Sequence, residues 1–352
     1  MMKVTLTNEI LSYIIEIEHN RYKVSSVKLS KPVMNRLRKN SKKKSSYASN
    51  KIEGNPLSEK QVDEVIERDE RKHYLKPEQE VRNYFLALNY LEEKVSKKEK
   101  FSQKLILDVQ KLVEKGASKE KIGLRGPMPP GVLFAVYDSK TGNPDYIPPE
   151  YCDIPELLDE LVEYVNTTDD HPLIVAAVVH YQLVTIHPFE DGNGRTARLL
   201  SGYIMDLNGY GFNGIGSLEE YFAYDIDEYY ESIQMGLPAL YYSGRENPPH
   251  PEIWINYFLR MVKLYSGKVC DLQLASEEED IAGSLSFLKG KEKELLQFLI
   301  RNYRGEFTPI EVSRELSVSN KTVINRLAVL VENGFAVPAF ANQRIRSYEL
   351  SE

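Results

Sequence analysis

A run of twelve residues, His187-Pro188-Phe189-Glu190-Asp191-Gly192-Asn193-Gly194-Arg195-Thr196-Ala197-Arg198, combines the residue types that bind and transfer phosphate groups. Gly192 and Gly194 allow backbone N–H groups to approach an anion closely, and a helix that starts after the glycines adds its positive dipole end. Arg195 and Arg198 are three residues apart and therefore share one helix face, where each guanidinium can fork onto phosphate oxygens. The spacing predicts a polyphosphate site.

Two further side chains in this run fit the chemistry of such a site. Asp191 can hold Mg²⁺, because that ion needs only one or two protein carboxylates when phosphates and water complete its octahedron. His187 has an ordinary pKa near neutrality and lies beside the predicted phosphates, where it can take a proton from an attacking hydroxyl. Phosphoryl or nucleotidyl transfer is the chemistry that these residues indicate.

The run resembles the Fic family signature HPFx[D/E]GNGRxxR at every fixed position, and the resemblance extends from roughly residue 75 to 265. It implies transfer of AMP from ATP to a protein hydroxyl, with His187 as general base and Asp191 as the Mg²⁺ ligand. Relatives that transfer a γ-phosphate have lysine where Gly194 stands, so the glycine favours adenylylation. The implied ATP-binding residues are Gly192, Asn193, Gly194, Arg195, Thr196, Ala197 and Arg198.

Downstream, the run Asp227 to Ile233 resembles the family helix whose tyrosine contacts the nucleotide base, and Tyr230 is the matching position. Aromatic residues on a helix are more often core residues, so the nucleotide contact depends on the resemblance.

A second motif, Ser49-Asn50-Lys51-Ile52-Glu53-Gly54, resembles the inhibitory [S/T]xxxE[G/N] helix of many Fic proteins. Glu53 falls in the last helical turn, where the dipole disfavours an anion by about 0.3–1 kcal/mol, so a compensating cation is expected. The resemblance makes Arg198 that partner and implies auto-inhibition. Ser49 precedes Glu53 by one turn, and the spacing predicts a hydrogen bond between them.

Two alternative functions fit the same sequence. The first is removal of AMP from a protein, with Glu53 orienting a water molecule. The second is a DNA-binding regulator whose Fic core senses nucleotide, with Lys321 and Arg326 on the recognition helix and Arg344 and Arg346 at the wing as phosphate contacts. Residues 286–352 carry ten Lys or Arg against eight Asp or Glu, a net charge of about +2 that is too small to require DNA.

The remaining histidines and the basic segment have simpler interpretations. His180 precedes His187 by about two helical turns, too far for one shared metal ion, so His171 and His180 are expected to be structural. The basic residues of the segment 36–44 are expected to form a solvated helix face.

Periodic apolar residues and turn residues predict a mainly α fold with a small β-hairpin over Val132–Pro149 and a C-terminal winged helix-turn-helix. The resemblance implies that the central helices form a Fic-type bundle and that the hairpin is its flap. The predicted parts are an N-terminal helical segment at 1–75 with the inhibitory motif, a catalytic core at 76–266, an acidic linker at 267–285 and the winged helix at 286–352. A buried central helix is expected from Pro172 to about His187.

Length and composition narrow the class of protein. The 352 residues carry a net charge of −7 and only two cysteines, which argues against disulfide scaffolds, zinc-finger arrays and general nucleic-acid coating proteins. No apolar stretch approaches the roughly 20 residues that span a bilayer, so a cytoplasmic protein without a membrane partner is expected. The implied partners are a protein with a Ser, Thr or Tyr hydroxyl, or the chain itself, and family analogy suggests a homodimer.

Overall fold

The computed structural model describes residues 1–27, 29–67, 73–118, 122–137, 142–237, 248–283, 288, 290–303, 305–341 and 344–351. The helices are α1 Asn8–Ser26, α2 Lys31–Ile52, α3 Glu59–Glu67, α4 Lys76–Ser96, α5 Gln103–Glu114, α6 Ile154–Thr167, α7 Pro172–Ile186, α8 Asn193–Leu207, α9 Glu219–Phe222, α10 Ile226–Gln234, α11 Pro251–Gly283, α12 Gly290–Asn302, α13 Pro309–Glu315 and α14 Asn320–Glu332. The strands are β1 Val136–Tyr137, β2 Pro144–Tyr146, β3 Ala336–Ala341 and β4 Arg344–Leu350. The predicted mainly α class is confirmed.

Two compact units divide the chain. One contains Met1–Tyr22 and Ser41–Lys268, and the other contains Lys23–Asn40 and Val269–Glu352. The second unit therefore includes an N-terminal segment that the sequence assigns to the 1–75 part.

The first unit is built around α7, which is apolar on all faces and buried from Leu173 to Leu183. Such a helix must be surrounded by other elements, since it offers no polar face to water. It packs against α8 and α6, and α4 packs against α5 and α8. The Trp254 indole of α11 donates to the carbonyl of Ala177 at 2.8 Å and joins α11 to the same core. The predicted central helix is confirmed.

The α2 helix docks through small polar residues rather than a large apolar stripe. Ser45 and Ser49 are buried, and Ser45 Oγ donates to Glu219 Oε2 at 2.8 Å. The other Glu219 oxygen accepts from the Tyr84 hydroxyl at 2.8 Å. A buried carboxylate needs such partners to offset its lost hydration, so these bonds fix where the end of α2 lies.

The predicted flap forms as a short antiparallel pair, with Val136 opposite Tyr146 and Tyr137 opposite Pro144. Its turn residues 138–141 lie outside the described residues. The Tyr146 hydroxyl donates to the carbonyl of Thr185 in α7, which ties the flap to the end of that helix.

The second unit contains the predicted order of helix, helix-turn-helix and hairpin. Thr308 and Glu311 form a capping box at the start of α13, and Ser317, with φ of 54°, makes the turn into α14. Strands β3 and β4 pair antiparallel over a core that contains Leu299, Leu327 and Leu330. Its assignment as a winged helix stays a prediction.

The segment 267–285, predicted as a linker, is helical up to Gly283 because α11 continues through it. Its acidic residues suggested a loop, but glutamate is a good helix former and requires no apolar neighbours in order to extend a helix. In the described part of the chain, no helix is long and apolar enough to cross a membrane.

Candidate active site between α7 and α8

Backbone conformation and the side chain of Asn193 shape the loop between α7 and α8 from within. His187 ends α7 in the left-handed region, with φ of 49° and ψ of 57°, and Gly192 precedes α8 with φ of 82°. Asn193 Nδ2 donates to the carbonyl of Phe189 at 2.8 Å, and Asn193 Oδ1 accepts from Phe189 N–H at 3.0 Å. Asn193, predicted to bind ATP, thus brackets the loop through its side chain.

The His187 imidazole is oriented by a backbone carbonyl. Its Nδ1 lies 3.3 Å from the carbonyl oxygen of Val184, so Nδ1 carries a proton and Nε2 is the basic nitrogen. Burial is the main reason that the pKa of His187 is lowered to about 4. Arg125 also acts to lower this pKa, whereas the carbonyl of Val184 acts to raise it. The Phe134 ring of the segment before β1 lies 5.9 Å away. A neutral imidazole with a basic Nε2 is the form that a general base requires.

Arg125 supports the histidine turn from the side of the flap. Its Nε donates to the His187 carbonyl at 2.8 Å, its backbone N–H donates to the Pro188 carbonyl at 2.9 Å, and its Nη2 donates to the Pro149 carbonyl. The guanidinium also lies 4.7 Å from the Phe134 ring centre. Arg125 was not predicted from the sequence, because nothing in its neighbourhood marks it as a partner of residues some sixty positions away.

Arg195 lies in a buried ion pair. Its Nη2 donates to Glu114 Oε1 at 2.9 Å and to Asp191 Oδ1 at 3.3 Å, and the side chain is 4% exposed. Burial raises the pKa of Glu114 to about 7, against the pull of Arg195. Glu114 Oε1 also lies so near Gly192 that a Cβ there would be 2.6 Å from it. The phosphate role of Arg195 stays a prediction, whereas its contacts bind the loop to α5.

Glu114 could have been found from sequence by the argument used for Glu53. It is an acid in the last turn of α5, where the dipole disfavours a carboxylate and a cation is expected nearby. The two remaining predicted ATP-binding residues of this run, Thr196 and Ala197, are buried within α8.

Arg198 is surrounded by partners from the end of α2. Its Nη2 donates to Glu53 Oε1 at 2.6 Å and to the Ser49 carbonyl at 3.1 Å, and its Nε donates to Ser49 Oγ at 2.8 Å. Burial alone would lower the pKa of Arg198, but Glu53 and nearby tyrosine hydroxyls raise it above its usual value. The i,i+4 spacing predicts a hydrogen bond between Ser49 and Glu53, but the Ser49 hydroxyl instead accepts from Arg198.

The same Glu53 carboxylate covers the second glycine of the loop. A Cβ on Gly194 would overlap Glu53 Oε1 and would lie 3.2 Å from Arg198 Nη1. Glu53 is held there because Gly54 turns the chain with φ of 80° and Asn55 Nδ2 donates to Glu80 Oε2 at 2.9 Å. An acidic group therefore occupies the position at which the sequence predicts phosphate.

Asp191 fits the predicted Mg²⁺ role in its chemistry. Its side chain is 30% exposed, and Oδ1 accepts from Gly192 N–H at 2.8 Å, which orients the carboxylate beside the anion loop. No cluster of three or more metal-binding side chains occurs among the described residues. A single oriented carboxylate suits Mg²⁺ that is bound mainly by phosphates and water.

Tyr230, the predicted base-contacting residue, is 42% exposed and its ring lies 5.2 Å from that of Tyr229. Partial burial is the main reason that the pKa of Tyr230 is raised, and the negative charge of Glu53 raises it further. The buried Tyr229 contacts Arg198 directly, at 3.4 Å from Nη1. The resemblance assigns the base contact to Tyr230, whereas the contact of Tyr229 with Arg198 is given only by the structure.

Residues 59–205 match the model of the Fic/DOC family. The protein adenylyltransferase Fic of Drosophila grimshawi is 27% identical over 204 residues, covering 56% of this chain and 40% of the relative. The protein adenylyltransferase fic-1 of Caenorhabditis elegans is 46% identical over 67 residues, covering 18% of this chain and 13% of the relative. The chain therefore spans less than half the length of the curated relatives it matches.

Solved structures share the fold. A Fic family protein from Desulfovibrio desulfuricans G20 superposes with a TM-score of 0.62 at 20% identity, covering 100% of this chain and 98% of that chain. Fic-1 of C. elegans superposes with a TM-score of 0.58 at 24% identity. The superposition covers 77% of this chain and 73% of that chain. These similarities extend the fold assignment beyond the segment that the family model matches.

Proposed function

We propose that this chain transfers AMP from Mg·ATP to a hydroxyl side chain of a protein, or of itself, and that Glu53 inhibits the transfer. The observation that carries the proposal is the placement of Glu53 Oε1 against Gly194 and 2.6 Å from Arg198 Nη2. An acid at this position competes for the groups that would receive phosphate. The names of the curated relatives support the activity.

In the proposed reaction His187 acts as the general base. The carbonyl of Val184 holds the proton on Nδ1, so Nε2 takes the proton of the target hydroxyl. The hydroxyl oxygen then forms a bond to the α-phosphorus, the bond from that phosphorus to the oxygen bridging to the β-phosphorus breaks, and pyrophosphate leaves. The products are the AMP ester of the target hydroxyl, pyrophosphate and a protonated imidazole.

The loop backbone and the following helix supply the electrostatic part. The N–H groups of Asn193 and Gly194 and the start of α8 are the proposed donors that stabilise the negative charge that develops on the phosphate oxygens, whereas the Gly192 N–H already donates to Asp191 Oδ1. Asp191 would hold Mg²⁺, which supplies charge neutralisation to the bound polyphosphate. Arg198, once it is released from Glu53, is the proposed partner of the γ-phosphate.

The test compares label transfer from α-labelled ATP with Mg²⁺ for wild type, Glu53→Gly, His187→Ala and Glu53→Gly/His187→Ala, with the purified protein and a lysate as acceptors. We expect transfer to rise in Glu53→Gly and to vanish in Glu53→Gly/His187→Ala. His250→Ala in the Glu53→Gly background is the matched control, since His250 is 65% exposed and bonds only to nearby Glu252 among the described residues. Equal transfer with and without His187 would overturn the base assignment.

Removal of AMP is the second candidate, favoured by the same carboxylate. Glu53 lies beside the anion loop, where a carboxylate can orient a water molecule toward a phosphorus. This function predicts that Glu53→Gly abolishes release of AMP from a modified protein. Unchanged release in that variant would reject it.

A further inference from the structure

The Tyr229 hydroxyl lies between the guanidinium of Arg198 and the ring of His180. Arg198 Nη1 is 3.4 Å from the hydroxyl oxygen, and His180 Nε2 is 2.8 Å from it. On the other side of the ring, His180 Nδ1 is 3.4 Å from Ser201 Oγ, which is 3.0 Å from the carbonyl oxygen of Arg198. The hydrogen bonds therefore form a closed loop that begins and ends at Arg198.

Only one arrangement of protons satisfies this loop. A guanidinium has donors only, so the Tyr229 oxygen accepts from Arg198 and its own proton points to His180 Nε2. Nε2 is then an acceptor, the neutral imidazole carries its proton on Nδ1, and Nδ1–H donates to Ser201 Oγ. The Ser201 proton is left for the Arg198 carbonyl. Each proton in the loop serves one bond.

The surroundings of His180 favour that neutral form. The ring is fully buried, and aromatic side chains pack around it, with Trp254 at 4.9 Å and Phe222 at 5.6 Å between ring centres. Burial lowers the pKa of His180 well below its usual value, and the positive charge of Arg198 lowers it further. A cationic His180 would also place two positive groups around one hydroxyl, which the geometry disfavours.

Arg198 thus has two independent sets of partners. Ser49 and Glu53 contact it from the end of α2, and Tyr229 contacts it from α10. We propose that Tyr229, supported by His180, is a positioning residue that keeps the Arg198 guanidinium directed at the anion site when Glu53 withdraws. Without Tyr229 fewer contacts restrict the rotamers of this long side chain, and ordering the guanidinium on a bound phosphate then costs more conformational entropy.

This inference rests on the proposed function in one respect, namely that Arg198 receives the γ-phosphate. It follows that loss of the Tyr229 hydroxyl affects binding of a triphosphate more than binding of a monophosphate. A purely structural role for Tyr229 would affect both nucleotides alike, because the aromatic cluster supports the whole site.

The test measures the Kd values of Mg·ATP and of AMP by isothermal titration calorimetry in the Glu53→Gly background. We expect Tyr229→Phe to weaken Mg·ATP about fivefold, as for the loss of one ordinary hydrogen bond, and to leave AMP within about twofold. Tyr257→Phe is the matched control. Tyr257 packs in the same cluster, 5.9 Å from Trp254 between ring centres, and its buried hydroxyl has no hydrogen-bond partner in the described part of the chain.

A second pair of variants, at His180, tests the positioning role without changing Tyr229. His180→Gln retains an acceptor at the Nε2 position and is expected to restore most of the ATP affinity that His180→Leu loses. Equal weakening of ATP and AMP by Tyr229→Phe, or unchanged ATP affinity, would overturn the positioning role. Absence of AMP transfer together with a selective loss of ATP affinity would contradict the proposed function and leave the positioning role intact.

Discussion

Glu53 and Arg198 form an ion pair across 145 residues of sequence, with Oε1 and Nη2 separated by 2.6 Å. The arginine side chain is 1% exposed, whereas that of Glu53 is 32% exposed. The buried partner belongs to α8 and the more accessible partner belongs to the turn after α2. Movement of this turn would expose the cation without disturbing the helix that carries it.

Substitution at Gly194 should report directly on where Glu53 lies. A Cβ would overlap Glu53 Oε1, so we expect Gly194→Ala to lower the free energy of unfolding by about 1–3 kcal/mol. In the Glu53→Gly background the carboxylate is absent, so the same substitution should lower the free energy of unfolding by less. A double-mutant cycle measured by urea unfolding should therefore give a coupling energy of about 1–2 kcal/mol.

Gly202 in the same helix is the control for that cycle. A Cβ there would meet no atom within 4 Å, so Gly202→Ala should be neutral or stabilising by up to about 1 kcal/mol. Additive effects of Gly194→Ala and Glu53→Gly would contradict the observed placement of the carboxylate.

Glu114 should give the protein a measurable pH dependence of stability. Burial raises its folded pKa to about 7 from 4.5, so the unfolded chain releases this proton first as the pH rises. The free energy of unfolding should fall between about pH 4.5 and 7 by up to roughly 3 kcal/mol from this group. Glu114→Gln should remove that component in urea unfolding measured from pH 5 to 8.

Asp108→Asn is the comparison for Glu114→Gln. A hydrogen bond from Lys104 is the main reason that the pKa of Asp108 is lowered, so its titration lies below the measured range. Its stability curve should run parallel to that of wild type. A Glu114→Gln curve that is also parallel would show that Glu114 is ionised throughout.

The pH at which transfer activity is lost on acidification should reflect the burial of His187. Its pKa is lowered to about 4 from 6.5, so the imidazole is neutral and basic at pH 7. The pH profile of kcat/KM in the Glu53→Gly variant, which reports the free enzyme, should keep its activity down to below pH 6.5. A half-maximal point at or above pH 6.5 would indicate a solvent-exposed imidazole instead.

The C-terminal unit offers a test of the DNA-binding hypothesis. Lys321 is exposed at the start of α14, and Arg326 is half-buried on the same helix. If α14 contacts DNA, duplex binding is saturable and salt-sensitive, and changing both residues to Ala lowers the slope of log K against log salt by about 2. Lys291→Ala/Lys293→Ala on α12 is the charge-matched control. Binding that is absent or insensitive to salt would reject the hypothesis.

Most of the fold was accessible from sequence because its helices carry strong local signals. The apolar run of α7 and the Thr308–Glu311 capping box predict their elements without knowledge of distant residues. The continuation of α11 through the acidic segment after 276 was missed, since composition alone does not distinguish a charged helix from a charged loop. The membership of Lys23–Asn40 in the second unit also depends on contacts that no local pattern reveals.

The same distinction applies to the residues of the candidate active site. The sequence alone determined the loop from His187 to Arg198, because its histidine, glycines and arginines are contiguous and their spacing sets their geometry. Only the tertiary structure decided that Glu114 and Arg125 brace this loop and that Tyr229, not Tyr230, contacts Arg198. Those relationships join helices far apart in the chain, and which polar groups meet in a core depends on how the helices pack and on the need to pair each buried charge.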